Sequence, residues 1–374
     1  MNILIDGRPL VTTSTGITNF LKGSVLAWAK NMPSSTFYVA IPKKIDVTSD
    51  DWKTTNNIKF ILYTNKILVK LPNLIWLNVI MAQLCKKLDI NTYFSALPCI
   101  PFFIPSKVKT IIVVHDVVNI EFKKTMQWTN KIANKLFFSR SIKNADIIWA
   151  NSNYTKNKIM RYFPYRKSKE IFVGAAVNNK YFKVQNIPLS EEIILKKEFG
   201  IKQDFILFVG SLEPRKNLSF LLSLMPELYK TTHLQLLIVG ANKWKETKVK
   251  DTIESQGFPK ESVIFSKFVS DEKLAKLYAL AKCYVSTSLN EGFGMPQLEA
   301  LLCGCPIVTS HNSAMIEIAE GKTGAYTVEG YNKERWISQI TETAHSHAKP
   351  NPAELTKYNW NTIIKDFTER YILK

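Results

Sequence analysis

The sequence predicts an α/β protein made of two doubly wound parallel sheets, and three observations carry that expectation. A chain of 374 residues is too long for one ordinary core and fits two domains of about 150 to 200 residues. Short apolar runs alternate with helical patterns through both halves, as a parallel sheet covered by helices requires. Residues 283–310 also read as strand, loop, helix and strand, the βαβ unit of such sheets.

In the first half the strand-like runs are NILIDG, FYVAIP, IKFILY, TYFSA, TIIVVHD and ADIIWAN. Helical patterns lie between them at Asn19 to Lys30, Trp76 to Leu88 and Lys131 to Lys143. The second half offers FILFVGS, LQLLIVG, SVIFSKF, CYVSTS and PIVTS, with helical patterns around Leu218 to Tyr229 and Glu272 to Ala281. The polar stretch from Val173 to Lys197 lacks clear alternation and holds the join. In the last segment, KYNWNTIIKDFTERYILK, residues Trp360, Ile363, Ile364, Phe367 and Tyr371 share one side of an amphipathic helix. That face needs a surface to cover it. Ligands of doubly wound sheets sit beyond the strand C-termini, so a shared substrate is expected in a cleft between the halves.

Composition narrows the function classes. No run of some 18 uncharged apolar residues occurs, and MNILIDGRPL opens on a strand rather than a signal peptide, which predicts a cytoplasmic protein. Five cysteines, Cys85, Cys99, Cys283, Cys303 and Cys305, lack zinc-type spacing and predict reduced thiols, with no metal site. Charge is uneven: residues 1–170 hold 25 Lys+Arg and 9 Asp+Glu, net +16, while the remainder is net +3. A basic half fits phosphate-bearing partners such as nucleic acid, anionic lipid head groups or a lipid pyrophosphate, and lysine-rich composition alone is the plain alternative.

The most informative stretch is SLNEGFGMPQLEALLCGCPIV, Ser288 to Val308. Pro296 suits the first turn of a helix from Met295 to Leu302, and Gly304 ends it. Gly292 and Gly294 before that helix let a ligand approach backbone amides, although glycines at a strand–helix junction also serve as plain turn residues. Glu291 precedes the helix and Glu299 lies about one turn into it, so both can face one ligand. Carboxylates suit hydroxyls rather than phosphate, and a nucleotide sugar carries both.

Several segments together resemble the retaining glycosyltransferases of family 4, over nearly the whole chain. Glu291 and Glu299 reproduce that family's glutamate pair inside NEGFGMPQLEALLCGCPIV, and FVGSLEPRKNL resembles its phosphate-binding segment with Arg215 and Lys216 in the basic positions. IDGRPL with TGITNF resembles the N-terminal strand and glycine loop containing Gly16, VVHDV the segment with the active-site histidine, His115, and NADIIWANSNYTKNKI the end of the first domain. Thr18 stands where many relatives have a second glycine, and Gly174, Ala175 and Ala176 replace the usual proline–glycine pair.

The resemblance implies the GT-B architecture. Its expected parts are an acceptor-binding domain at 1–178, a nucleotide-sugar domain at 179–350, and a C-terminal helix, 351–374, packing toward the first domain. It implies retention by same-face attack, without metal or other cofactor. His115, Glu291, Arg215 and Lys216 would be catalytic, and Gly16, Gly210, Arg215, Lys216, Glu291, Gly292, Phe293, Gly294, Met295 and Glu299 would bind the donor.

Within that frame Arg215 and Lys216, just beyond FILFVGS, would neutralise a leaving diphosphate. His115, at the end of TIIVV, either bonds a sugar hydroxyl or the developing charge, or is a packed or capping residue; Asp116 either orients its ring or caps the next segment. Gly16 either admits phosphate or acceptor, or forms an ordinary turn. Glu299 would hold the ribose and Glu291 the transferred sugar, with no glycosidase-type carboxylate pair. The DGRPL and TGI segments look most like bacterial mannosyl- and rhamnosyltransferases of surface polysaccharide assembly. They favour a GDP-linked hexose, with a UDP-sugar as the alternative, and a glycan or polyprenyl-pyrophosphate-linked acceptor.

A basic nucleic-acid-binding protein lacks support in any recognition motif, and a nicotinamide enzyme lacks its GxGxxG. The apolar middle of Ile67 to Leu88, with Lys66, Lys70, Lys86 and Lys87 around it and PCIPFFIP nearby, is read as a face docking on the anionic inner leaflet. The alternative is that Trp76, Ile80 and Leu84 face the core.

Overall fold

A computed structural model describes residues 1–11, 16–42, 52, 55–62, 76–117, 137–177, 181–183, 186–240 and 259–373. The chain divides into two compact units, Met1–Val177 with Lys357–Lys374, and Asn178–Thr356.

The first unit contains β1 (Asn2–Asp6), α1 (Gly16–Asn31), β2 (Thr36–Ile41), β3 (Ile58–Leu62), α2 (Ala82–Lys87), β4 (Thr92–Ser95), β5 (Lys109–Val114), β6 (Ile147–Ala150), α3 (Asn153–Tyr162) and β7 (Ile171–Val173). Its seven strands lie in the order β3-β2-β1-β4-β5-β6-β7, every pairing parallel. The second unit contains α4 (Leu189–Phe199), β8 (Phe205–Val209), α5 (Leu218–Thr232), β9 (Gln235–Val239), β10 (Val263–Ser266), α6 (Asp271–Leu280), β11 (Cys283–Ser286), α7 (Met295–Leu302), β12 (Ile307–Ser310), α8 (Met315–Ala319), β13 (Ala325–Val328) and α9 (Lys333–His345). Its sheet runs β10-β9-β8-β11-β12-β13, again all parallel. The final helix, α10 (Trp360–Tyr371), belongs to the first unit.

The central strands are continuous apolar runs because helices cover both faces: β9 and β11 are buried at every residue, as are β4 and β6. Helix starts follow local chemistry. The Ser152 hydroxyl accepts from the Thr155 amide at 3.0 Å to open α3, and Ser270, Asn332 and Asn359 cap α6, α9 and α10 in the same way. In both sheets the strand order reverses once, between β1 and β4 and between β8 and β11. At such a reversal the flanking loops diverge and leave a crevice at the strand C-termini.

The core of the first unit is largely aromatic. Phe20 and Trp28 of α1, Phe94 of β4, Trp149 of β6, Phe172 of β7 and Trp360 and Phe367 of α10 meet mostly edge to face. The Trp149 indole donates to the Gly174 carbonyl at 2.7 Å, so this large ring is buried with its polar edge paired. Here α10 finds its cover, lying along α1 with Ile363, Ile364 and Phe367 buried.

The reading of 67–88 as a membrane face is corrected for the part described. Residues 67–75 lie outside the described residues. Trp76, Ile80 and Leu84 are buried in a cluster with Leu4, Met81, Tyr93 and Val108. A stripe at helical spacing has met its own sheet. Among the described residues no helix is long and apolar enough to cross a membrane.

Gly23 sits inside α1, where glycine costs about 1 kcal/mol relative to alanine. Its reason is Trp360: a Cβ at position 23 would collide with the indole. Gly23→Ala should therefore lower the stability of the first unit by about 1 to 3 kcal/mol in urea unfolding, despite the better helix former. Trp360→Leu should cancel most of that specific penalty in a double-mutant cycle; additive losses would mean that the two residues do not share this contact.

Candidate active site

Two loops of the second unit leave neighbouring strands at the sheet reversal and are laced together. After β8 the chain passes Gly210 and a 3-10 turn, Pro214–Lys216, before α5 begins. After β11 it passes Ser288 to Gly294 before α7. The Leu289 amide donates to the Arg215 carbonyl at 2.8 Å, and the Thr287 hydroxyl donates to the Asn217 carbonyl at 3.1 Å.

That lacing gathers an ion cluster. Arg215 Nη1 donates to Glu291 Oε2 at 2.7 Å and to the Asn290 carbonyl at 2.8 Å. Lys216 Nζ donates to Glu291 Oε1 at 2.6 Å, and the Ser288 hydroxyl reaches the same oxygen at 2.7 Å. The Glu291 amide donates to the Ser313 hydroxyl at 3.0 Å, anchoring the backbone as well. Burial alone would push the Glu291 carboxyl up, but Lys216 and Arg215, with the hydrogen bonds from Lys216 and Ser288, hold it down at about 2. It is a carboxylate throughout the ordinary pH range.

Gly210 stands beside the aliphatic part of Lys216, and a Cβ there would sit 3.5 Å from the Lys216 Cε. Gly292 and Phe293 are buried, and Gly294 opens α7 at φ 102°, a conformation that disfavours any side chain. The N-cap residue, Gly294, has no side chain to cap with, Pro296 has no N–H, and the Gln297 amide bonds the Gly294 carbonyl at 3.1 Å, so Met295 is the first-turn residue whose amide this terminus can offer beside the cluster.

Glu299, one turn further on, has an opposite environment. It is buried and takes one hydrogen bond, from the Tyr278 hydroxyl to Oε2 at 3.2 Å. Burial, reinforced by Asp271 and only partly opposed by Tyr278 and Lys216, pushes its carboxyl up to about 8. At neutral pH it is mostly a neutral acid that can donate as well as accept. Gln297 bonds the Thr309 hydroxyl through Nε2 at 2.8 Å, while its buried Oε1 has no hydrogen-bond partner among the described residues.

The first unit presents its own set at the β1/β4 reversal. Arg8 grips the fully buried Asp6 through Nε at 2.9 Å and Nη2 at 2.6 Å, and the Ser95 hydroxyl donates to the same carboxylate at 2.9 Å. His115 follows β5, with its Nε2 3.0 Å from the Ala96 carbonyl and its ring edge-on to Phe20 at 5.0 Å. A carbonyl only accepts, so Nε2 carries the proton and Nδ1 is left as the acceptor. Burial, against the opposing pull of that carbonyl, lowers the imidazole to about 4, so His115 is neutral at pH 7. Asp116 is half-buried beside it, and Gly16 is exposed at the first position of α1 with nothing within 4 Å of where a Cβ would be.

The structure thus brings Arg215, Lys216 and Glu291 into direct contact, with Gly210, Gly292, Phe293, Gly294, Met295 and Glu299 around them in one unit. Gly16 and His115 belong to the other. Sequence reasoning missed Ser288, Ser313, Tyr278 and the Asp6–Arg8 pair. Ser288 had a local signal, three residues before Glu291; Ser313 and Tyr278 come from other elements and had none.

Residues 190–359 match the family model described as glycosyl transferases group 1. The chain is 29% identical over 219 residues, 56% of its length, to the serotype-specific mannosyltransferase WbdA of Escherichia coli, covering 26% of that protein. It is 30% identical over 180 residues, 48% of its length, to the O-antigen chain mannosyltransferase B of Escherichia coli, covering 46% of it. The match thus spans about a quarter to about half of these relatives. Among solved structures, Anabaena Alr3699/HepE in complex with UDP and glucose superimposes with a TM-score of 0.72 at 17% identity, over 99% of this chain and 98% of that one. WaaG, a glycosyltransferase involved in lipopolysaccharide biosynthesis, gives 0.67 at 14%, over 100% and 96%. The chain has the paired Rossmann-like domains of GT-B glycosyltransferases, and residues 190–359, which hold the ion cluster and both glutamates, belong to the glycosyl transferases group 1 family.

Proposed function

We propose that this chain is a retaining, metal-independent glycosyltransferase. In this reading it moves a hexose from a nucleotide sugar to a lipid-linked or polysaccharide acceptor in surface glycan synthesis, working in the cytoplasm and peripherally at the membrane. The observation that carries the proposal is the buried cluster of Arg215, Lys216 and Glu291 beside the uncapped N-terminus of α7. Two fixed cations and a helix terminus form a preorganised receptor for a diphosphate, whose charge grows as the sugar leaves. The Glu291 carboxylate bonds both cations. A diphosphate arriving there would take them over in part and free the carboxylate for sugar hydroxyls.

The neutral Glu299 suits a ribose, since a carboxyl group donates to one hydroxyl oxygen and accepts from the other hydroxyl. His115, neutral with Nδ1 open, suits acceptance from a sugar hydroxyl. In the same-face mechanism the departing phosphate would help take the acceptor proton, and no side chain serves as nucleophile. The mannosyltransferase names of the curated relatives favour a GDP-linked mannose or deoxyhexose. The UDP and glucose held by the Anabaena neighbour favour a UDP-sugar as the second reading. A thermal-shift and hydrolysis screen of GDP-, UDP- and dTDP-sugars in EDTA tests both. Stabilisation by none of the nucleotides would sink the proposal.

Glu299→Gln should weaken nucleotide binding, chiefly through the ribose, whereas Glu291→Gln should lower turnover more than nucleotide affinity. Equal losses of affinity in isothermal titration would refute this division.

Glu299 also gives a pH signature. Its folded-state value, about 8, lies above the usual 4.5, so the folded state holds the proton more tightly. Stability is then lost as pH rises from about 5 to 8, by up to about 4 kcal/mol, and Glu299→Gln should flatten that slope. An unchanged slope in urea titrations across this range would show that Glu299 titrates normally.

Replacing both Arg215 and Lys216 by alanine should reduce turnover about a hundredfold or more, and should also destabilise the unit by leaving Glu291 charged and unpaired. Adding Glu291→Gln should restore the melting temperature but not the turnover. Near-normal activity of the double variant in EDTA would overturn the assigned electrostatic role.

A further inference from the structure

The basic half of the chain carries an aromatic and cationic face that the active-site reading does not use. From Asn153 to Lys169 there are six cations, Lys156, Lys158, Arg161, Arg166, Lys167 and Lys169, and no acidic residue. Only Thr155 and Ile159 of α3 are buried, so the rest of that helix faces outward or lies at its rim. Beyond it, Tyr165 is 90% exposed, with Met160, Arg161, Lys167 and Lys169 also exposed. The loop is held open rather than loose: Arg166 donates to the Phe163 carbonyl at 3.1 Å and to the Lys169 carbonyl at 3.3 Å.

Helical residues 137–144 connect this loop to a second exposed group. Phe138 packs on Phe163, and the Lys143 carbonyl accepts from the Lys167 amide at 2.8 Å. Between those two contacts Arg140 lies over the Phe102 ring at 4.2 Å and donates to the Ile100 carbonyl, and Phe103, next in the chain, is 73% exposed. The nearby carboxylates are already engaged, Asp146 with Lys167 at 2.6 Å and Glu170 with the Tyr371 hydroxyl.

We infer that this face, Phe102 and Phe103 with Arg140, Arg161, Tyr165 and Lys169, docks the first unit on an anionic lipid bilayer. Cations in excess over the carboxylates near them are drawn to phosphate head groups, and Tyr and Phe beside them enter the head-group boundary, where an apolar ring and a polar edge are both accommodated. Two observations set lipid above a second copy of the chain or a nucleic acid strand. Like-charged faces repel, and Phe103 and Met160 are exposed apolar side chains, which suit an acyl boundary and gain nothing from a phosphodiester backbone. The inference deepens the proposed use of a lipid-linked acceptor, yet it can fail while the transferase chemistry stands.

Co-sedimentation with vesicles tests it, using the full chain, phosphatidylglycerol mixed with phosphatidylcholine, and phosphatidylcholine alone. Binding should require the anionic lipid and weaken as salt rises. Arg161→Glu with Lys169→Glu, and separately Phe103→Ser with Tyr165→Ser, should each reduce partitioning about tenfold. Ile193→Ser with Ile194→Ser, exposed residues of α4 in the other unit, should leave it unchanged. Donor hydrolysis without vesicles should be the same in all these variants, which also reports that they are folded. The inference is overturned if anionic vesicles are not bound at low salt, whether or not a single-stranded oligonucleotide is, or if both variants on this face bind like the parent. Loss of hydrolysis in the parent chain would count against the proposed function and not against this face.

Discussion

The buried ion pairs of Glu291 with Arg215 and Lys216 are the constraint on which the rest of the second unit depends. Two cations beside the end of a sheet repel each other and cost desolvation, so the fold tolerates them only with a counter-charge at hydrogen-bond distance. Glu291 supplies it, and Ser288 and Ser313 fix Glu291 in turn. Such a cluster is poor evidence of stability, since hydrophobic residues of equal volume would often do better. In the proposed function it is a charge pattern kept for an anion that exchanges with the carboxylate.

The same environment splits the chemistry of two glutamates eight positions apart. Glu291 meets two cations and stays charged, whereas Glu299, one helical turn into α7, meets Tyr278 and the field of Asp271 and stays mostly neutral. One helix therefore presents a charged acceptor at its mouth and a donor–acceptor group further in. In the first unit His115 is likewise neutral, fixed in one tautomer by a carbonyl. In each unit, considered by itself, burial rather than residue type provides the neutral group.

Most of the fold was legible because parallel strands buried on both faces are continuous apolar runs, and all eleven strands named from sequence appear. The two that were missed, β7 and β13, are edge strands of three and four residues, IFV and AYTV, too short for a pattern to emerge. The helix α9 was missed too, because its buried residues Trp336, Ile337, Ile340 and Thr343 are spread among charged and polar ones. The site was legible where its residues share a loop, as with Glu291 to Met295. It was not legible where contact depends on elements distant in the chain: nothing local in Tyr278 announces Glu299, and nothing in Ser313 announces Glu291.

The stripe Trp76, Ile80 and Leu84 shows why charge and apolar content alone misplace a membrane face. Helical spacing of large apolar residues says that something covers them, and where helices pack on both faces of a sheet the sheet is the nearest cover. Flanking lysines do not change this, since they mark only where the helix meets solvent. What separates a docking surface from a core face is exposure that persists after folding, with cations whose neighbours leave their charge uncompensated. By that criterion Tyr165 and Phe103 stand apart from Trp76, although all three are aromatic residues of the same basic unit. The discriminating information is tertiary, because only the packed structure shows which apolar residues the sheet has already used.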